Sequence, residues 1–143
     1  MSTNKTRRAL TMVLTLAILF SLFSSAVLAA PSNAPAVPVS FTILHTNDFH
    51  GQLESSGSNP GMARTAAVIN GVRTSVGADK VLLVDAGDIM QGSLLSNLGQ
   101  GAPTIVTYNA MGYNVATFGN HEFDWGQTVL SNRTAEASFP FIT

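Results

Sequence analysis

Cysteine is absent from the 143 residues. No disulfide staples the fold and no lipid can be attached through a thiol, so stability must come from a core or from a bound ion. Charge is also scarce, at 10% of residues against 45% hydrophobic. The basic residues are poorly placed for polyanions: Lys5, Arg7 and Arg8 lie together at the amino terminus, and Arg64, Arg73, Lys80 and Arg133 follow one by one. Without a basic run or stripe the chain has no nucleic-acid-binding footprint. Two catalytic signatures are missing as well. There is no G-x-S-x-G elbow for a serine hydrolase, and no G-K-[ST] for a P-loop nucleotide site.

Long hydrophobic runs are confined to one place. Lys5, Arg7 and Arg8 precede the apolar stretch Ala9 to Phe23 and then the small residues "SSAVLAA". A basic region, an apolar region and Val27-Leu28-Ala29 before Ala30 predict a signal peptide over residues 1–29, with cleavage near Ala29. The competing reading is an uncleaved anchor, because the apolar stretch approaches the length of a membrane span. Cleavage is favoured by the small residues at the −3 and −1 positions. The expectation is therefore an exported protein, secreted, periplasmic or at the cell surface, that meets the membrane only through the signal peptide. Removing that peptide leaves four basic residues against eight acidic ones, a net charge of −4.

Residues 30–38, "APSNAPAVP", are rich in Pro and Ala and read as an extended linker. From residue 39 onward a strand–helix pattern repeats. "VSFTIL" (Val39 to Leu44) alternates as a strand does. Met62, Ala66, Ile69, Val72 and Val76 recur at helical spacing. "KVLLVDAGD" holds a short continuous apolar run, which predicts a strand buried on both faces. A helix from about Pro103 to Met111 is stopped by Gly112. "NVATF" reads as a third strand, Gln127 to Ala137 as a weaker helix, and "FPFIT" as the start of a fourth strand. This order predicts an α/β fold, a βαβαβαβ arrangement with a parallel sheet and right-handed crossovers, over residues 39–143. The chain reads as the amino-terminal part of a longer domain, and nothing in it specifies an oligomeric state.

Ligands of open parallel sheets bind beyond the carboxyl ends of the strands. The polar residues of this chain gather there: Asp48 and His50 after the first strand, Asp85 and Asp88 after the second, and Asn120, His121, Glu122 and Asp124 after the third. Several carboxylates within a few ångströms repel unless one protonates or a cation sits among them. A mixed set of Asp, Asn and His suits Zn, Mn, Fe or similar ions better than Ca. One carboxylate on a central strand can bridge two such ions, an arrangement used by phosphatases and nucleases.

Taken singly, each motif has a plainer reading. Asp48 could cap a turn and leave His50 a polar loop residue. "GD" after a strand is commonly just a turn. "GNHEFD" could open a helix, with Asn120 or Asp124 as cap and Glu122 favouring the dipole. His45 is expected to pack or hydrogen-bond rather than bind metal. Asp85 and Glu122 are expected behind the ligands or at caps, with Glu122 serving the following helix. Arg64 either faces the site or is solvated, and Gly87, Gly92 and Gly119 suit tight backbone passage or turns. Asn132-Arg133-Thr134 is a glycosylation sequon, meaningful only in a eukaryotic secretory route.

Together, "ILHTNDFHG", "VDAGDIMQGS" and "FGNHEFDWG", with Asp48, Asp88 and Asn120 spaced by 40 and 32 residues, resemble the exported 5′-nucleotidases within the calcineurin-like metallophosphoesterases. The resemblance covers Phe41 to Thr143. It implies a layered sandwich fold of which this chain is one part, and two divalent metal ions, Zn, Mn or similar, as cofactors. It implies Asp48 and His50 as ligands of the first metal, Asp88 as the bridging ligand and Asn120 as an oxygen ligand of the second. His121 is similar to the family's catalytic imidazole and Asp124 to the carboxylate that orients it. The expected substrate is a nucleotide or another small phosphoester, with 5′-nucleotide, 2′,3′-cyclic-nucleotide and nucleotide-sugar hydrolysis as alternatives. A binding protein that has lost its chemistry is the non-enzymatic alternative, opposed by intact His121 and Asp124. The family's pattern continues with further histidines and a nucleoside-gripping domain, so this chain alone is expected to be inactive.

Overall fold

Four short strands carry the fold, and in each the side-chain alternation shows which face is buried. In a computed structural model, which describes residues 37–143 together with Asn4 and Met12, the strands are β1 (Thr42–Thr46), β2 (Val81–Asp85), β3 (Val115–Thr117) and β4 (Phe141–Ile142). They form one parallel sheet in the order β1-β2-β3-β4. The connecting helices are α1 (Gly61–Val76), the short α2 (Leu94–Leu98), α3 (Ala102–Met111) and α4 (Gly126–Glu136). Apart from Asn4 and Met12, the expected signal peptide and the linker up to residue 36 lie outside the described residues. Among the described residues no helix is long and apolar enough to cross a membrane.

β1 begins three residues later than its sequence pattern and runs two residues further. Its length is set by its partner: Thr42 pairs with Val81 and Thr46 with Asp85, so the ladder exists only where β2 supplies the other side. α3 matches its punctuation signals, with Pro at its first turn and Gly112 closing it in the left-handed region at φ 68°. The short α2 was not anticipated, since five residues carry too little periodicity to read.

Leu83 and Ala116 of the sheet share a core with Met62 and Ile69 of α1, Ile105, Tyr108 and Met111 of α3, and Leu130 of α4. Leu44 and Phe141 pack against it from the outer strands. All four sheet positions fall on one face, since Leu44 pairs with Leu83 and Ala116 with Phe141. The opposite face is apolar but uncovered among the described residues. Ile43 is 55% exposed, its partner Leu82 is 40% exposed and Ile142 is 55% exposed. β2 is thus buried on one face, not on both as its apolar run predicted. Strand order supplies the reason: crossovers of one hand that always step in the same direction put every connecting helix on the same side. His45 belongs to the uncovered face and is exposed, not packed as expected.

Candidate metal centre

Beyond the ends of β1 and β2 the two chains stay zipped. The amides of Asp48, His50 and Gly51 donate to the carbonyls of Gly87, Asp88 and Ile89 at 3.0, 2.9 and 2.8 Å. This continuation carries Asp48 and His50 alongside Asp88, and one ligand atom from each lies within 4.8 Å of the others. All three residues are forced into the left-handed region, at φ 51° for Asp48, 51° for His50 and 57° for Asp88. Among the described residues Gln100 is the one other non-glycine with a positive φ. Such conformations cost on the order of 1–3 kcal/mol each and persist where the surroundings over-determine them, typically at functional sites.

The donor set fits a divalent cation. Neither Asp48 nor Asp88 pairs with a basic side chain among the described residues. His50 Nδ1 lies 2.9 Å from the Gln91 carbonyl, which can only accept, so Nδ1 carries a hydrogen and Nε2 is the ring nitrogen left to face a cation. A ring nitrogen tied to a backbone carbonyl is the usual support of a metal-binding histidine. Two carboxylates and one imidazole suit a transition ion.

The third strand-end loop arrives as a 3₁₀ turn, His121–Phe123. Its first amide, that of His121, donates to Asp88 Oδ1 at 2.9 Å. The His121 ring stands edge-on to His50, with centroids 5.1 Å apart. Because the turn returns after three residues, Asp124 Oδ2 accepts from His121 Nδ1 at 2.7 Å. That hydrogen bond, ahead of the carboxylate charges of Asp124, Asp88 and Glu122, raises the pKa of His121 above the ordinary histidine value. In the metal-free protein Asp124→Asn is expected to move the His121 titration to lower pH, read from its ring proton shifts by NMR. An unshifted midpoint would contradict the assigned partnership. Asn120 is exposed beside this turn and makes no capping hydrogen bond.

Glu122 takes the first of its two expected places, behind the ligand-bearing loops, and not the second, at the helix cap. It does not serve the helix that follows but turns inward, 1% exposed. Its Oε2 accepts from the amides of Asp88 (2.8 Å) and Gly119 (2.7 Å), and its Oε1 from those of Ile89 (2.6 Å) and Met90 (3.3 Å). The loops meet so closely that a Cβ on Gly87 would stand 2.5 Å from the Gly119 nitrogen, and one on Gly119 would overlap the Asp88 carboxylate and backbone nitrogen. Gly119→Ala therefore cannot be absorbed by a side-chain rotation. It is expected to destabilise the protein by about 1–3 kcal/mol, as overpacking does, and to weaken metal binding, measured by thermal unfolding and metal titration. Gly92, at φ 150°, passes similarly close to the His50 carbonyl.

Asp85 lies behind the site, 3% exposed. It accepts from Thr46 Oγ1, from Tyr108 Oη at 2.9 Å and from the Gly87 amide at 2.8 Å. Burial pushes its pKa up, opposed by these hydrogen bonds. Tyr113 closes the network through Thr46 at 2.8 Å and stacks on Tyr108 with ring centroids 4.0 Å apart. Sequence reasoning missed Thr46, Tyr108 and Tyr113, which carry no local motif. Arg64 is exposed on α1, so the solvated reading holds.

The profile of the family described as calcineurin-like phosphoesterase matches residues 41–141. The chain is 42% identical over 91 residues to the trifunctional nucleotide phosphoesterase protein YfkN of Bacillus subtilis, covering 64% of this chain and 6% of that protein. It is 38% identical over 124 residues to a 5′-nucleotidase of Diplobatis ommata, covering 81% of this chain and 22% of the relative. The chain thus spans less than a quarter of either relative. The solved structure of Haemophilus influenzae NAD nucleotidase superposes with a TM-score of 0.64 at 28% identity, over 71% of this chain and 20% of that one.

Proposed function

The chain belongs to the calcineurin-like phosphoesterase family, and on that premise we propose that the protein carrying it is an exported phosphohydrolase that uses two divalent ions to remove phosphate from nucleotides. The convergence of Asp48, His50 and Asp88, with His121 and Asp124 beside them, carries this reading. Asp48, His50 and Asp88 would hold the ions, with Asn120 offering a neutral side-chain oxygen beside them. The bound ions supply Lewis acidity, neutralising phosphate charge and acidifying water.

The remaining chemistry belongs to side chains. Asp124 holds the His121 ring by Nδ1 and favours its charged form, so that Nε2–H is available to the substrate. From there the imidazolium stabilises charge on the phosphoryl group or protonates the departing oxygen of the nucleoside. His50 would serve as a ligand, its ring oriented by the hydrogen bond from Nδ1 to the Gln91 carbonyl. Export rests on the amino-terminal sequence pattern over residues 1–29.

Phosphate release from AMP, 2′,3′-cyclic AMP and UDP-glucose by the protein carrying this chain tests the reading, with and without chelation of metal. AMP is the expected preferred substrate, and activity is expected to vanish on chelation and return with Mn²⁺ or Zn²⁺. Preference for the cyclic nucleotide or the nucleotide sugar would reassign the substrate within the family. Failure to hydrolyse any of the three in the presence of metal would overturn the enzymatic reading.

A further inference from the structure

The segment Gly87–Met90 is gripped from both sides. Its carbonyls, those of Gly87, Asp88 and Ile89, accept from the Asp48, His50 and Gly51 amides of the first loop. Its amides, those of Asp88, Ile89 and Met90, all point the other way, to the carboxylate of Glu122. The same carboxylate takes the Gly119 amide of the third loop. Glu122 is 1% exposed and pairs with no basic side chain among the described residues. Backbone dipoles alone stabilise its charge, through hydrogen bonds of the charge-assisted kind.

A buried carboxylate without a counter-cation is costly, and four converging N–H groups are the arrangement that offsets the cost. Asp88 sits at the centre of this clamp in the left-handed region, at φ 57°. A residue in that conformation needs its neighbours to hold it. Its own carboxylate accepts from the His121 amide and lies with the Asp48–His50 cluster. We infer that Glu122 is the positioning residue of the metal centre: without binding metal itself, it locks the three ligand-bearing loops together and sets the affinity and geometry of the ion held by Asp88. This inference rests on the metal reading proposed above and adds to it a residue that touches neither ion nor substrate.

Glu122→Gln tests it well because the shape is conserved and the hydrogen-bonding pattern is not. One end of an amide is a donor, so whichever way the side chain turns, an NH₂ group meets amides that are themselves donors. Co²⁺ titrated into the purified metal-free protein reports affinity and, through its visible absorption, coordination geometry. Wild type is expected to bind Co²⁺, and Glu122→Gln to bind it about ten- to a hundredfold more weakly, the range for groups that orient ligands, with an altered absorption band. Leu130→Ala, in the core beneath α4, is the control: it lowers the unfolding temperature but leaves the Co²⁺ affinity and spectrum of the folded protein unchanged. If circular dichroism shows the Gln variant unfolded, Glu122→Asp replaces it, keeping the charge one methylene short of the amides, with the same expected loss. Wild-type Co²⁺ affinity and spectrum in the folded variant would overturn the inference while leaving the metal reading intact. Absence of Co²⁺ binding by wild type would overturn both.

Discussion

Asp88→Asn is expected to cost the protein most of its bound metal and roughly a thousandfold in phosphate release from AMP, the rate equivalent of several kcal/mol of lost Lewis-acid stabilisation. Size does not cause the loss, since Asn has nearly the shape of Asp. Asp88 Oδ1 accepts the His121 amide at 2.9 Å, and that amide is fixed by the turn. Asn must keep its oxygen toward this donor, which turns its NH₂ toward the cluster of Asp48 and His50 that lies within 4.8 Å. A ligand anion is thereby replaced by a donor facing a cation. Metal content by elemental analysis and hydrolysis of AMP are the measurements. Retention of both at wild-type level would remove Asp88 from the centre of the proposed site.

The second large effect separates chemistry from metal binding. His121→Gln is expected to lower kcat about 10²- to 10⁴-fold, the contribution of a well-placed acid–base group, while metal content stays at wild type. The structural reason is that His121 acts through two independent parts. Its backbone amide supports Asp88, and a substitution of the side chain leaves that bond in place. Its ring is 38% exposed and held by Asp124, so removing the ring costs the core nothing. Loss of metal in this variant would make the ring part of the metal shell. Undiminished kcat would end its catalytic assignment.

Much of this was legible in the chain. Polar residues crowding the ends of apolar strands drew attention to eight side chains, and the family resemblance narrowed them to Asp48, His50, Asp88, Asn120, His121 and Asp124. The structure brings His121 and Asp124 together across an i,i+3 turn. Strand count, parallel order and the three longer helices follow from the alternation of period-2 and helical patterns. Glu122 was expected behind the ligands or at a cap, and only its service to the following helix was misjudged, for a physical reason. An acid in the first turn before a helix has a favourable local role, and local patterning cannot show that backbone amides 32–34 residues away outbid it. Thr46, Tyr108 and Tyr113 were missed for the same reason: their hydroxyls matter only because Asp85 is buried where they meet.

By itself the sequence determined what is encoded locally: which segments are strands and helices, which residue types stand at their ends, and hence the α/β class and the gathering of carboxylates and imidazoles at one sheet edge. These depend on side-chain periodicity and on turn chemistry between near neighbours. Only the tertiary structure decided which sheet face is covered, that Asp48, His50 and Asp88 all take left-handed backbone conformations, and that one buried carboxylate joins the three loops. Each of these is a relation between residues far apart in the chain. Such relations exist only once the strands have paired in register and brought their ends to one edge.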